Sequence, residues 1–300
     1  MSFDDAMTTL ARLTASAEAL AALGAHLRAD TEGLKLDPAI ATAVDGVVAE
    51  LGIEPESLTP TERGTVALFA RAFLRQAADL IDHPERPPGW GYEDPVVLLS
   101  LGRGSASIVS AFATVPELVE LLGHEGAVLL DVGAGVAALS VAFCRAFPAL
   151  KVVGLEPWGP ALRLGQREIS DARLSARIEL RAQRVEELAD SDAYDIAWLA
   201  GPFLPPAIVP AALKHTFAAL KPGGRIVFGL YAGPPDPLAQ RLVALRTIRS
   251  GGHNATSDEL VSALDAAGFE DARELERRWA SPVRLIVATK TSSDTFSKGV

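Results

Sequence analysis

The spacing of apolar residues along this chain changes near residue 126. Before that point they recur every three or four positions, the period of one helix face. This spacing predicts helices over 3–29, 38–52, 61–82, 94–112 and 115–122. Thr59-x-x-Glu62 reads as a capping box opening the third. Gly33 and Asp37-Pro38 separate the first two, and the Pro-rich stretch 83–89 is the best candidate for a linker between lobes. After residue 126, short apolar runs at 127–132, 151–156, 177–183, 194–200 and 225–231 predict strands. Predicted helices end near Phe147 and cover 159–171 and 206–220 between them. Strands alternating with helices at this spacing imply right-handed βαβ units and a parallel, doubly wound sheet. Further helices are predicted at 237–249 and 257–267. The runs 269–279 and 281–289 lie too close for a crossover helix, so they predict an antiparallel hairpin. The expected fold class is α/β, with a mostly parallel seven-stranded sheet and an N-terminal all-helical lobe. The expected division is a helical lobe over 1–122, a sheet domain over 123–290 and a frayed polar tail over 291–300.

Composition narrows the functional classes. With 300 residues and 49% hydrophobic side chains, the chain can bury a core, which excludes a disordered or disulfide-scaffold protein. A lone cysteine, Cys144, can form neither an internal bridge nor a thiolate zinc site, and no metal is expected. A net charge of −10 disfavours a nucleic-acid partner. No membrane span is expected, for want of an apolar run of about 18 residues. The first ten residues carry acids where a secretory leader needs positive charge. A soluble cytoplasmic protein is expected.

The candidate chemistry begins at Asp131-Val132-Gly133-Ala134-Gly135. Glycines at a strand's carboxyl end let the backbone turn tightly and approach a ligand. The next run ends in Glu156, placed to accept hydrogen bonds from ribose hydroxyls. Gly-x-Gly-x-x-Ala alone fits a plain strand-to-helix turn, a dinucleotide fold or a nucleoside fold. Asp131 separates the ligands: an acid at the loop repels a pyrophosphate and suits a cation such as a sulfonium bearing an α-amino group.

Asp131-x-Gly-x-Gly135, Glu156 and Leu220-Lys221-Pro222-Gly223-Gly224-Arg225, in that order, resemble the motifs of class I S-adenosylmethionine-dependent methyltransferases. The resemblance covers about 126–290 and implies the Rossmann-like fold of that family, with S-adenosyl-L-methionine as cofactor. It implies that Gly133, Ala134 and Gly135 line the methionine part, that Asp131 holds its amino group directly or through water, and that Glu156 binds both ribose hydroxyls. Pro157 and Trp158 stand where the family packs an apolar residue on adenine. Gln183 replaces an acid that often meets the adenine amino group. Ala200 and Gly201 fall beside the reactive methyl, and Arg103 in a stretch often used for the cofactor's carboxylate. Gly201-Pro202-Phe203 lacks the polar residue by which relatives acting on base or amide nitrogens hold their acceptor.

For acid–base work two residues stand out. His253 follows a glycine pair, Gly251-Gly252, which would allow a loop to close over substrate; Tyr231 ends the fifth strand and could orient an acceptor. His215 is expected on a solvent face with Lys214. The apolar residues of the helical lobe would roof an acceptor pocket, form a homodimer face or simply pack within the lobe. The reading is methyl transfer to a small, fairly apolar organic metabolite, on oxygen first and on carbon or nitrogen second. An NAD(P)-dependent oxidoreductase and a non-catalytic S-adenosylmethionine-binding protein are the alternatives.

Overall fold

A computed structural model describes residues 2–233, 235–252 and 254–291. The chain forms two compact units. One comprises Met1–Arg86 with Asp94–Leu101, the other Pro87–Glu93 with Gly102–Val300.

The helical unit is built on α1 (Phe3–Glu32), α2 (Pro38–Glu50) and α3 (Pro60–Asp82). The predicted capping box is present, with Thr59 and Glu62 bonding each other's backbone N–H groups. Leu23, Leu27, Val48 and Ala67 form its small core. Gly24 lets α1 approach α3, because a Cβ there would lie 3.0 Å from the Cβ of Ala70. The first half of α1 is exposed among the described residues, with Phe3, Met7, Leu10 and Leu13 along one side.

The predicted helix over 94–112 is broken. It divides into α4 (Pro95–Ala106) and α5 (Val109–Phe112), and α6 (Pro116–Gly123) follows. Over Pro95–Phe112 the mean hydropathy reaches 1.4, so this stretch is long and apolar enough to cross a membrane by composition. The sequence reading did not register it. The end of this stretch, Ala111 and Phe112, is buried in the sheet unit's core.

The sheet unit contains β1 (Val128–Val132), α7 (Ala138–Ala146), β2 (Lys151–Leu155), α8 (Gly159–Asp171), β3 (Ile178–Arg181) and β4 (Tyr194–Ala200). Then come α9 (Val209–Ala219), β5 (Leu220–Tyr231), α10 (Pro237–Arg249), α11 (Ser257–Ala266), β6 (Glu270–Glu274) and β7 (Val283–Thr289). The seven strands run in the order β3-β2-β1-β4-β5-β7-β6. β1 to β5 are parallel, and β7 is antiparallel to both β5 and β6, as the hairpin reading requires.

Side chains alternate across the sheet with period two, and both faces are buried. Leu129, Ile196, Trp198 and Val227 pack with Phe112, Leu118 and Phe143 from α5, α6 and α7. Leu130, Ala197, Leu199 and Phe228 pack with Leu213, Leu260 and Leu264 from α9 and α11. Strand order reverses beside β1, so a ligand crevice is expected outside the carboxyl ends of β1 and β4.

Candidate active site

The glycine loop follows β1. Gly133 and Gly135 have φ of 77° and 58°, a region glycine enters without steric cost. A Cβ at either would meet nothing within 4 Å, so both face open space. The next position of the Gly-x-Gly-x-x pattern is filled by Ala137 at φ 58°, an uncommon conformation for a residue with a Cβ. It is fully buried at the N-cap of α7. Other elements press close to this loop. A Cβ on Gly165 of α8 would lie 3.2 Å from the carbonyl oxygen of Gly135, and one on Gly102 of α4 only 2.2 Å from Val136. A side chain at Gly102 would therefore push α4 off the loop.

The loop's backbone donors are committed. Gly133 and Ala134 N–H both donate to Leu155 O at 3.0 Å, and Gly135 N–H donates to Glu156 Oε2 at 2.8 Å. A pyrophosphate cradle needs such donors free. Here they orient Glu156 instead. Its other oxygen, Oε1, accepts from Trp158 N–H at 2.7 Å. One backbone donor per oxygen leaves each a lone pair for a ribose hydroxyl. Glu156 is 6% exposed, and burial raises its carboxyl above the ordinary range against the pull of these two donors.

Asp131 lies on the α7 face of the sheet, two residues from Leu129. Ser140 Oγ of α7 donates to its Oδ2 at 2.6 Å. Sequence reasoning missed Ser140; nothing but its helical spacing from Asp131 could have shown it. Asp131 is 1% exposed, and burial pushes its pKa up to about 6, with a smaller push from Glu156 and an opposing one from Ser140. Among the described residues no cationic side chain pairs with this buried acid, which suits it to a ligand cation.

The remaining predicted residues divide. Gln183 spends its amide N–H on Glu187 O at 2.9 Å, which turns Oε1 to other donors. Pro157 and Arg103 are exposed. Ala200 ends β4, and Gly201 is backed against the sheet: a Cβ there would lie 2.2 Å from the Phe228 ring. Tyr231 ends β5, and burial raises its phenol above the ordinary value, while Arg246 pulls the other way. His253 lies outside the described residues. His215 is not on a solvent face; it is half-buried, with Nδ1 2.8 Å from Leu188 O.

Two further readings are corrected. The glycine pair is no free hinge. Gly251, at φ 87°, bonds Ile248 O, and Gly252 bonds Thr247 O, which is a Schellman stop to α10. A Cβ on Gly252 would lie 2.1 Å from Pro202 O, so the pair is also pinned to the end of β4. The stretch 83–89, read as a linker between lobes, is corrected at its end, since Pro87–Gly89 belongs to the sheet unit. Pro87–Glu93 clusters with the sheet, bringing in Trp90 and Tyr92, which sequence reasoning passed over. The Trp90 ring stands edge-on to Phe203 at 5.5 Å, and Phe203 edge-on to Tyr231 at 6.4 Å. Two aromatic residues among prolines and glycines were the available signal, since a solvated linker has no use for them.

Residues 129–224, which span β1 to the start of β5, match the sequence family described as a methyltransferase domain. Over these residues the chain is similar to methyltransferase domains. No curated protein matches it in sequence. Solved structures share its fold over nearly the whole chain. An O-methyltransferase family protein from Burkholderia thailandensis is 13% identical, with a TM-score of 0.67, covering 98% of this chain and 100% of its own. Human N-acetylserotonin methyltransferase, solved with S-adenosylmethionine, is 16% identical with a TM-score of 0.63, covering 97% and 99%. The S-adenosylmethionine-dependent methyltransferase SibL is 17% identical with a TM-score of 0.63, covering 95% and 100%. At these identities the likeness shows the fold, including the helical unit ahead of the methyltransferase domain.

Proposed function

We propose that this chain is an S-adenosylmethionine-dependent methyltransferase that acts on a small, fairly apolar organic acceptor, at oxygen in the first instance. The observation that carries this reading is the aromatic run Trp90–Phe203–Tyr231 outside the ends of β4 and β5. It offers an acceptor apolar and aromatic surface. Gly201, where a nitrogen-acceptor enzyme needs a polar side chain, is backed by Phe228 and Gly229 O and leaves no room for one.

The residues present fit the cofactor. Open space faces Gly133 and Gly135, Glu156 keeps a lone pair on each oxygen, and Asp131 is a buried acid without a cationic partner among the described residues. When bound, S-adenosylmethionine supplies a methyl group on a positively charged sulfur. Glu156 then holds the ribose, Asp131 the amino group, Gln183 Oε1 the adenine amine and Arg103 the carboxylate. Alignment of acceptor and donor supplies much of the rate in such a displacement. Tyr231, with its raised phenol pKa, stays protonated near neutral pH. It orients an acceptor oxygen by hydrogen bonding and does not serve as the base.

Adenosylhomocysteine should raise the melting temperature and NADH should not, by ligand linkage. Methyl transfer from labelled donor should then appear with phenols and other small hydroxyl compounds. Transfer confined to amines or carbon acids would sink the oxygen assignment.

Asp131 gives two opposite pH dependences. Its folded pKa lies above the unfolded value of 3.8, so its ionisation destabilises the empty fold as pH rises through about 6. A ligand amino group needs the ionised form. Affinity for adenosylhomocysteine should therefore fall about ten-fold from pH 7 to pH 5, the change expected for one group of pKa about 6. Calorimetry across that range checks it, and Asp131→Asn should flatten the dependence.

A further inference from the structure

The segment Pro87–Glu93 is bracketed in sequence by the helical unit yet belongs to the sheet unit. Four contacts attach it there. Trp158 Nε1–H donates to Tyr92 O at 2.8 Å. Gly89 N–H donates to Arg249 O at 3.2 Å. A Cβ on Gly251 would lie 3.1 Å from Gly89 Cα. The Trp90 ring meets Phe203 at 5.5 Å. Trp158 follows β2, Phe203 follows β4, and Arg249 ends the helix after β5. The segment is thus a strap fixed on both sides of the reversal beside β1, running past the carboxyl ends of β1 and β4.

Trp158 occupies a particular place in this arrangement. Its backbone N–H binds Glu156 Oε1 and its indole N–H binds the strap. One residue therefore joins the buried acid to the covering loop. Its indole N–H is spent on protein, so any contact with adenine would use only the ring face.

We propose that Trp158 is a positioning residue: it holds the strap Pro87–Glu93 across the cofactor crevice and ties strap closure to Glu156, so that the closed strap retains the cofactor. The second half of this statement rests on the cofactor reading above; the first does not.

The test is Trp158→Phe, which keeps an aromatic ring and removes the donor. Hydrogen exchange of the strap amides, measured without ligand, should quicken about five- to ten-fold, the effect of losing one hydrogen bond of ordinary net strength. Adenosylhomocysteine dissociation should quicken by a similar factor, with association no slower. In the wild type, adenosylhomocysteine should slow strap exchange. This measurement decides the proposal even if the variant folds poorly, because absence of any slowing overturns retention by the strap. Unchanged strap exchange in Trp158→Phe overturns the positioning role. If binding weakens through slower association while strap exchange stays the same, Trp158 acts on adenine instead. Failure of the wild type to bind adenosylhomocysteine would refute the cofactor reading, and the ligand-free exchange arm would still decide the strap.

Discussion

Gly135→Val is expected to remove adenosylhomocysteine binding, with Kd raised by more than about 100-fold, while the protein still folds. Three properties of the position combine. Its φ of 58° is costly for a β-branched residue, about 1–2 kcal/mol. Its N–H orients Glu156, so a shifted backbone moves the acid as well. Apart from its chain neighbours, no described residue lies within 4 Å of the added Cβ, so the valine side chain projects into the open space the cofactor needs. The strain should lower the melting temperature by several degrees only, about the shift expected from 1–2 kcal/mol in a protein of this size. Calorimetry checks the affinity. Binding at wild-type strength would show that the methionine part does not lie along this loop.

Glu156→Ala is expected to weaken adenosylhomocysteine about 5- to 150-fold, from about 1–3 kcal/mol for polar partners left unmet. The partners are internal as well as external: Gly135 N–H and Trp158 N–H lose their acceptor at 2.8 and 2.7 Å. Glu156→Gln separates the two contributions. Its single carbonyl oxygen keeps one backbone bond and one ribose bond, so its affinity should fall between those of wild type and Glu156→Ala. A Glu156→Gln protein as weak as Glu156→Ala would make charge, rather than acceptor geometry, the property that matters. Unchanged affinity in Glu156→Ala would sink the ribose assignment.

Much of this architecture was legible in the residues. Strand positions followed from apolar runs bounded by turn residues, because a sheet buried on both faces leaves continuous apolar runs such as Val128–Leu130. The hairpin of β6 and β7 followed from chain length alone. In the site, Asp131, the two glycines and Glu156 were readable because their spacing is set locally by one βαβ unit. The residues that were missed are those whose partners are distant in sequence. Ser140 reaches Asp131 across a helix–strand interface. Trp90 reaches Phe203 across 113 positions, which no local pattern records. The glycine pair was misread for a different reason: a Schellman stop and a hinge call for the same residue at the same place, and only the bonds to Thr247 and Ile248 tell them apart.

The break between α4 and α5 matters for anyone who wishes to express the sheet unit by itself. Phe112, just past that break, is fully buried and stands edge-on to Phe143 at 4.9 Å and to Trp198 at 5.7 Å. A gene cut at the first strand would delete this ring together with Leu118 and Leu122, strip one side of the sheet to its aromatic residues and discard Trp90 as well. Such a fragment should enter inclusion bodies. A shorter trim, beginning near residue 15, would remove only the exposed turns of α1 and should improve solubility without touching either core.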